Sequence, residues 1–245
     1  RHFEKPQSTL VLDGGLRQPG KSEAILPTEE EDESMRVKRN RHLWGRERSS
    51  DRPAHDPTGL SFYPLTPDRW DDFEVLFGPR GACAGCRCMW WRLTSREFRE
   101  GAGTANRDKF RECVREPTAP GVLAYRGQAA VGWCAVAPRE KYRRLASSRT
   151  LQPIDDTPVW TITCLYVAKG ERRQGLTRRL IEAACDFAAR FGAPEIEAYP
   201  RISSAKESNP LSIYMGTEGS FVRAGFCVVA EPTPIRRIMR KRLSR

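Results

Sequence analysis

Three groupings of residues in this 245-residue chain could do chemistry. The first is Lys169-Gly170-Glu171-Arg172-Arg173-Gln174-Gly175, a basic loop that runs straight into a helical pattern. A helix start leaves its first N–H groups without acceptors, and the helix dipole adds partial positive charge there. Gly175 removes a Cβ that would hold an anion away, and Arg172 and Arg173 add formal charge, so the loop suits a phosphate. The alternative is an ordinary strand-to-helix turn with solvated arginines. The second grouping is Gly81-Ala-Cys83-Ala-Gly-Cys86-Arg-Cys88-Met-Trp90-Trp91-Arg92, whose three thiols lie close enough to line a cleft, form a redox pair or share a zinc ion. A closed zinc site wants a fourth ligand, and Cys113 would supply it only if the fold brings it back. The third is Glu197 with Tyr199, an acid in a strand interior, where charge is disfavoured without a purpose. Its plainer reading is an ion pair with a nearby arginine.

The elements that must position these groups are legible from periodicity. Val159 to Val167 is rich in β-branched and aromatic residues and reads as a buried strand. Leu176, Leu180, Ile181, Ala184, Phe187, Ala188 and Phe191 form one helical stripe, which Gly192 and Pro194 terminate. Glu195 to Tyr199 is the next strand, with Glu195, Glu197 and Tyr199 on one face and Ile196 and Ala198 on the other. Upstream, a strand near Leu60 to Pro64 precedes a helix capped by Thr66 or Asp68. A second helix spans Arg107 to Glu116, after a mobile Gly101-to-Ala105 linker. Gly121 to Tyr125 and Ala130 to Val136 form a hairpin about Gly127. After a polar loop over 201–212, a short helix ends at Phe221 to Gly225. The strand Phe226 to Ala230 and a last strand about Ile235 to Leu243 follow, the latter read as an edge defended by basic residues. The sum is an α/β fold, a mixed sheet with helices on both faces in the order β-α-α-β-β-β-α-β-α-β-β.

Residues 1–56 lack periodicity and carry an acidic run, Glu29 to Glu33, before a basic one, Arg36 to Arg41; they read as a disordered or non-native leader, with Met35 a candidate start. The domain is then 57–245. The leader holds 11 basic and 11 acidic residues, so the whole net charge of +11 falls on the domain. That suits an anionic partner. No recognised nucleic-acid motif accompanies the charge, which argues against nucleic acid. No apolar run is long enough for a membrane span. Eight cysteines scattered through strands and helices fit reduced thiols in the cytoplasm. Cys134 and Cys164 read as core residues. The three histidines, His2, His42 and His55, all lie in the leader and offer the domain no base or metal ligand.

Arg172-Arg173-Gln174-Gly175-Leu176-Thr177 resembles the acetyl-CoA pyrophosphate loop of the GCN5-related N-acetyltransferase (GNAT) family, written Q/R-x-x-G-x-G/A. The resemblance covers roughly residues 60 to 243. Thr177 departs from the motif, standing where Gly or Ala is usual. The cysteine segment, with Val131-Gly-Trp-Cys134 through Pro138-Arg-Glu140, is similar to a little-characterised subgroup of that family. The resemblance implies acetyl-CoA as cosubstrate, held by Arg172, Arg173, Gln174, Gly175, Leu176 and Thr177. It implies that the backbone of Leu165, Tyr166 and Val167 pairs with the pantetheine arm as an added strand would. It also implies an N-acetyltransferase, monomer or homodimer, with an amine acceptor whose identity the chain does not disclose.

Acyl transfer requires the amine to lose a proton, the thioester oxygen to be stabilised and the thiolate to leave. An alkylammonium with a pKa near 10.4 is neutral roughly once in a few thousand molecules at pH 7, so a carboxylate base is expected. Glu197 is the candidate, ahead of Asp155 and Asp156, which a turn explains. Backbone N–H groups near Val167 would hold the oxygen. The family's usual acid, a tyrosine, aligns with Phe221, which has no proton to give. Tyr214 or Tyr199 is the candidate in its place. The position that bears the base in histone-type relatives falls near Trp160, also not acidic. Alternatives from other classes are a cysteine-dependent ping-pong transfer and a CoA-binding or basic nucleic-acid-binding module without turnover.

Overall fold

The computed structural model describes residues 59–79, 81, 85–202 and 213–244. The leader, Cys83 and most of the 201–212 loop lie outside these. One seven-stranded sheet contains β1 (Leu60–Pro64), β2 (Gly121–Arg126), β3 (Ala129–Pro138), β4 (Val159–Val167), β5 (Glu195–Ala198), β6 (Cys227–Thr233) and β7 (Arg236–Arg242). The spatial order is β1-β2-β3-β4-β5-β7-β6. Only β4 and β5 run parallel. A parallel pair needs a crossover, which the long helix between those strands provides. The helices are α1 (Trp70–Phe77), α2 (Ser95–Glu100), α3 (Thr104–Arg115), α4 (Arg143–Ala146), α5 (Leu176–Arg190) and α6 (Glu218–Arg223).

The alternation of each strand sorts its side chains onto two cores. On one face Ala124, Cys134, Ile162, Leu165, Ile196 and Ala198 pack against the α5 stripe and Phe221 of α6. On the other, Leu123, Tyr125, Trp133 and Ala135 pack against Trp70, Phe73 and Phe77 of α1 and Phe110 and Val114 of α3. A smaller cluster continues that face under the β3–β4 connection, with Tyr142, Leu145, Leu151, Tyr199 and Met215.

Two irregularities in β4 decide what the sheet can do. Ala135 pairs with Cys164 but Val136 pairs with Ile162, so Thr163 is an extra residue, a β-bulge. Beside it, β5 pairs with β4 only from Val159 to Ile162. The remaining residues of β4, on to Val167, run without β5. The strands part at the bulge.

Several local expectations change. Thr94 and Glu97 form a capping box for α2, a helix the sequence reading left out. In the Gly101-to-Ala105 stretch Gly101 is buried, residues 102–105 are exposed, and Thr104 and Ala105 already belong to α3. A Cβ at Gly101 would lie 2.4 Å from Asn106 Oδ1, and the buried Asn106 side chain donates to the Phe98 carbonyl. Thr66 precedes a one-turn 3-10 helix, Pro67–Arg69, without a side-chain cap. The basic last strand, β7, is internal between β5 and β6; the edge falls to β6.

Gly132 lets α5 approach β3, since a Cβ there would lie 2.9 Å from Leu180 Cδ1. Gly132→Val is expected to destabilise the fold by about 1–3 kcal/mol through overpacking, read as a lower midpoint in urea unfolding with an unchanged m-value.

Candidate active site

The loop after β4 is held open by its own contacts. Ala168 N–H donates to the Val131 carbonyl, and Arg126 makes a double-bonded ion pair with Glu171. Gln174 Nε2 donates to the Gly170 carbonyl. Arg173 has φ +65° and Gly175 +80°, so two left-handed residues turn the chain into α5. A side chain is strained at such angles, and Arg173 accepts that strain immediately before the helix. The N–H groups of Arg178 and Arg179 reach back to the Gly175 carbonyl; those of residues 172–177 find no backbone acceptor among the described residues. Arg172, Arg173, Gln174 and Gly175 are exposed, and Leu176 is buried beneath them. Thr177 is half-buried on the first turn. Nothing stands within 4 Å of where a Gly175 Cβ would be. The result is a cradle of N–H donors with cationic flanks and free space in front.

The cradle adjoins the strand gap. Leu165 points into the α5 core, while Tyr166 lies tilted against Phe77 on the opposite face, centroids 5.1 Å apart. On its β5 side the Leu165 N–H donates to the Tyr214 carbonyl at 2.6 Å. The Val167 carbonyl accepts from Arg172 Nε at 3.1 Å. Residues 213–216 therefore form a strap over the gap, tied at Arg201 N–H by the Gly216 carbonyl. No local pattern in the sequence announces this strap.

Glu197 is placed differently from its sequence expectation. It has no exposed surface. Oε2 accepts from Arg240 Nε at 2.7 Å, Oε1 accepts from the Tyr199 hydroxyl, and Arg139 lies 3.6 Å away. Arg139 in turn donates to the Tyr199 hydroxyl and to the Leu151 carbonyl, and Arg240 reaches Asp155 at 2.7 Å. This is a clamped ion network under the 147–157 connection, enclosed at Glu197 and exposed at Asp155, and both Glu197 oxygens are hydrogen-bonded. An amine cannot reach a base so placed. Tyr199 shares the enclosure, and burial with the Glu197 charge pushes its phenol well up, so it is no accessible acid either. Asp155 is held below the usual carboxylate range by its bond from Arg240. Arg139 and Arg240, unsingled in the sequence, are what fix Glu197. Tyr214 stays half-buried beside the gap, and burial pushes its phenol up to about 12. Phe221 and Trp160 are core residues, packed on Phe226 and on Phe187 and Phe191.

In the cysteine segment, Arg87 and Cys88 both adopt positive φ. Arg87 is anchored by Glu74 and the Gly78 and Pro79 carbonyls, and Cys88 Sγ accepts from Trp133 Nε1 at 3.0 Å. The thiol of Cys88 abuts Cys164, whose own thiol is pushed well above its usual range by that contact and by burial. Burial does the same to Cys134. Seven cysteines are free thiols, and no group of acidic, Cys or His residues suited to a metal ion occurs among the described residues. Packing is the role these contacts support. Among the same residues no helix is long and apolar enough to cross a membrane.

Comparison with known proteins gives a family. The model of the acetyltransferase (GNAT) family matches residues 88–208. Among solved structures, the chain is similar to a GNAT-family acetyltransferase from Streptococcus agalactiae (12% identity, 76% of this chain and 97% of that one, TM-score 0.47). It is also similar to the PaiA N-acetyltransferase of Thermoplasma acidophilum in complex with coenzyme A (11%, 75% and 98%, TM-score 0.43). A third is yncA, a putative acetyltransferase from Salmonella typhimurium with acetyl-CoA (11%, 76% and 95%, TM-score 0.41). No curated protein matches the chain.

Tyr142 and Tyr214 both have phenols held up to about 12, chiefly by burial, against an ordinary value of 10.0. The folded state thus prefers the protonated form. Stability from this source is complete below pH 10 and is lost as pH rises through about 12. Thermal midpoints measured from pH 8 to pH 12 should fall in that window, as stability is lost by up to about 1.4 kcal/mol per pH unit for each group, and Tyr142→Phe should flatten the fall.

Proposed function

This chain belongs to the acetyltransferase (GNAT) family, and on that premise we propose that it moves an acetyl group from acetyl-CoA to a primary amine by direct transfer. The observation that carries this reading is one juxtaposition. The β4–β5 ladder ends at Ile162 and Ala198, and the N–H groups of residues 172–177, which have no backbone acceptor, face outward at the end of the same strand. A bound anion gains from several aligned donors at a helix start, and an extended arm gains from an unpaired strand edge. The residues present fit acetyl-CoA. Arg172, Arg173, Gln174, Gly175, Leu176 and Thr177 would hold its pyrophosphate, with the Thr177 hydroxyl as a further donor. Leu165, Tyr166 and Val167 would line its arm, and their backbone N–H groups would stabilise negative charge on the thioester oxygen.

In this reading the Tyr214 carbonyl keeps the place of the arm at Leu165 N–H and moves aside when the arm binds. Tyr214 itself serves as the acid. Its support is position, half-buried beside the gap; a phenol raised to about 12 is a weaker acid than a free one, so it would act by hydrogen-bonding the leaving sulfur as the proton is passed. Glu197 and Tyr199, both enclosed, act as positioning residues that fix Arg139 and the β5 end of the gap. The amine would lose its proton to water at the mouth of the gap. The ping-pong alternative would use a cysteine of the Cys83-to-Cys88 segment; of these, Cys88 is buried and accepts from Trp133 Nε1, which supports packing as its role. A reducing, cytoplasmic setting suits the free thiols.

Gly175→Trp is expected to weaken CoA binding by at least about 100-fold, or 2.7 kcal/mol, with an unchanged far-ultraviolet circular dichroism spectrum. Titration calorimetry reads the affinity, and retained binding would refute this placement of the cradle. Glu197→Gln is expected to lower the thermal midpoint while leaving the shape of the pH–rate profile unaltered. A profile whose acid limb disappears would restore Glu197 as the base.

A further inference from the structure

Where the 90–92 turn meets α4, polar groups gather that the transfer chemistry above does not use. Arg92 is 8% exposed, yet its Nε and Nη2 have no hydrogen-bond partner, and among the described residues no acidic side chain forms an ion pair with it. Its guanidinium lies over the Tyr142 ring, 4.9 Å from the centroid. Arg144 Nη2, on the adjoining helix, is also buried and unbonded, and the Arg144 N–H donates to the Trp91 carbonyl at 3.1 Å. Trp91 Nε1 has Tyr214 and the Tyr142 hydroxyl has Thr163 as its nearest side-chain partner, neither in normal hydrogen-bond geometry.

Leaving one buried guanidinium unpaired costs several kcal/mol, and native proteins pair such groups. The nitrogens of this cluster are one-sided, and only the Tyr142 hydroxyl can also accept. Arginine and indole nitrogens only donate, so what completes the cluster must bring acceptors. Nε and Nη2 form the side-on edge of a guanidinium, two parallel donors spaced for two oxygens on one atom. The cluster also sits beside the strap. Tyr214 packs with Trp91 against the small core under the β3–β4 connection, and its carbonyl occupies Leu165 N–H at the gap. A strap that moves for the acyl donor would uncover these donors next to the transfer point.

We propose that Arg92, assisted by Arg144, anchors a carboxylate of the acceptor, which makes the acceptor an amino acid or a similarly small amino carboxylate. The assignment rests on the acyl-transfer reading, and it supplies the substrate class that reading leaves open. The carboxylate docks on the Arg92 fork and the amine of the same molecule is left facing the gap. A plain amine would leave the buried donors unmet and be rejected, because an unpaired polar site penalises the analogue that lacks its partner.

The test uses the full chain saturated with acetyl-CoA. Each common α-amino acid is compared with its own decarboxylated amine, following release of free thiol, and inorganic phosphate is added as a competing anion. At least one amino acid should be acetylated with a kcat/KM at least about 10-fold above its amine. Arg92→Met and Arg92→Lys should each raise KM for that amino acid by about 10- to 100-fold, with kcat little changed and calorimetric affinity for CoA unchanged. The free Arg92→Met protein should melt at or above the unmodified one, since it loses an unpaired buried cation. Amines accepted as well as amino acids, a KM indifferent to Arg92, inhibition by phosphate with no response to any carboxylate, or a lower melting point in Arg92→Met would each overturn the anchor. Failure of the unmodified protein to bind CoA overturns the acyl-transfer reading instead. In that case, a thermal shift by an amino acid over its amine that vanishes in Arg92→Met still upholds the anchor.

Discussion

At Thr163 the β4 backbone carries one residue more than β3 sets against it, and a sheet absorbs such a surplus by bending the longer strand. The bend takes β4 away from β5 just after Ile162, so the next residues keep one neighbour and lose the other. Without that departure the outer edge of Leu165 to Val167 would be sealed by a ladder, and the N–H cradle at 172–177 would look onto closed protein. With it, the edge lies next to the cradle, and the 213–216 strap caps it at Leu165 N–H. Burial elsewhere supports this arrangement. Gly132 draws α5 tight against β3, which fixes the start of the helix relative to the end of the strand.

Much of this architecture was legible in the sequence because periodicity survives tertiary packing. Val159 to Val167 and the Leu176-to-Phe191 stripe have the compositions and spacings their burial demands, and the structure places them within a residue of the reading. The alternation of Glu195, Glu197 and Tyr199 was read on the correct face, but not its company. Arg240 lies 43 positions later in the chain and Arg139 nearly 60 earlier, and no local pattern announces that two guanidiniums will close over a carboxylate. The bulge was invisible for a related reason. An extra residue shows only as a change in register with a partner strand, and Thr163 is as good a strand residue as Thr161. The strap at 213–216 and the α2 capping box lay in polar stretches. There the competition between turn, coil and short helix is settled by contacts with other elements, as between Thr94 and Glu97 on one side and Arg143 on the other.

The cysteine segment shows how a chemical-looking motif can be structural. Arg87 and Cys88 take left-handed backbone angles, a cost of order 1–3 kcal/mol each, and the surroundings over-determine them. Glu74 holds Arg87 together with Arg107, and Trp133 holds Cys88 from the opposite wall. The thiols of Cys88 and Cys164 meet in the interior, where a thiolate would be poorly solvated. The spacing of the thiols leaves cleft lining, redox and metal chemistry open; the burial of Cys88 against Trp133 favours a packed plug.

Among the described residues, the four residue pairs between β4 and β5 are also the only strand ladder between the β1–β4 meander and the C-terminal strands. The sheet therefore has a seam, narrow and located where the two halves already diverge. A molecule lying in the gap would touch both sides and act as a staple across it. Any such ligand adds stability in proportion to RT ln(1 + [L]/Kd), so the cohesion of the two halves becomes a property of the solution as well as of the chain.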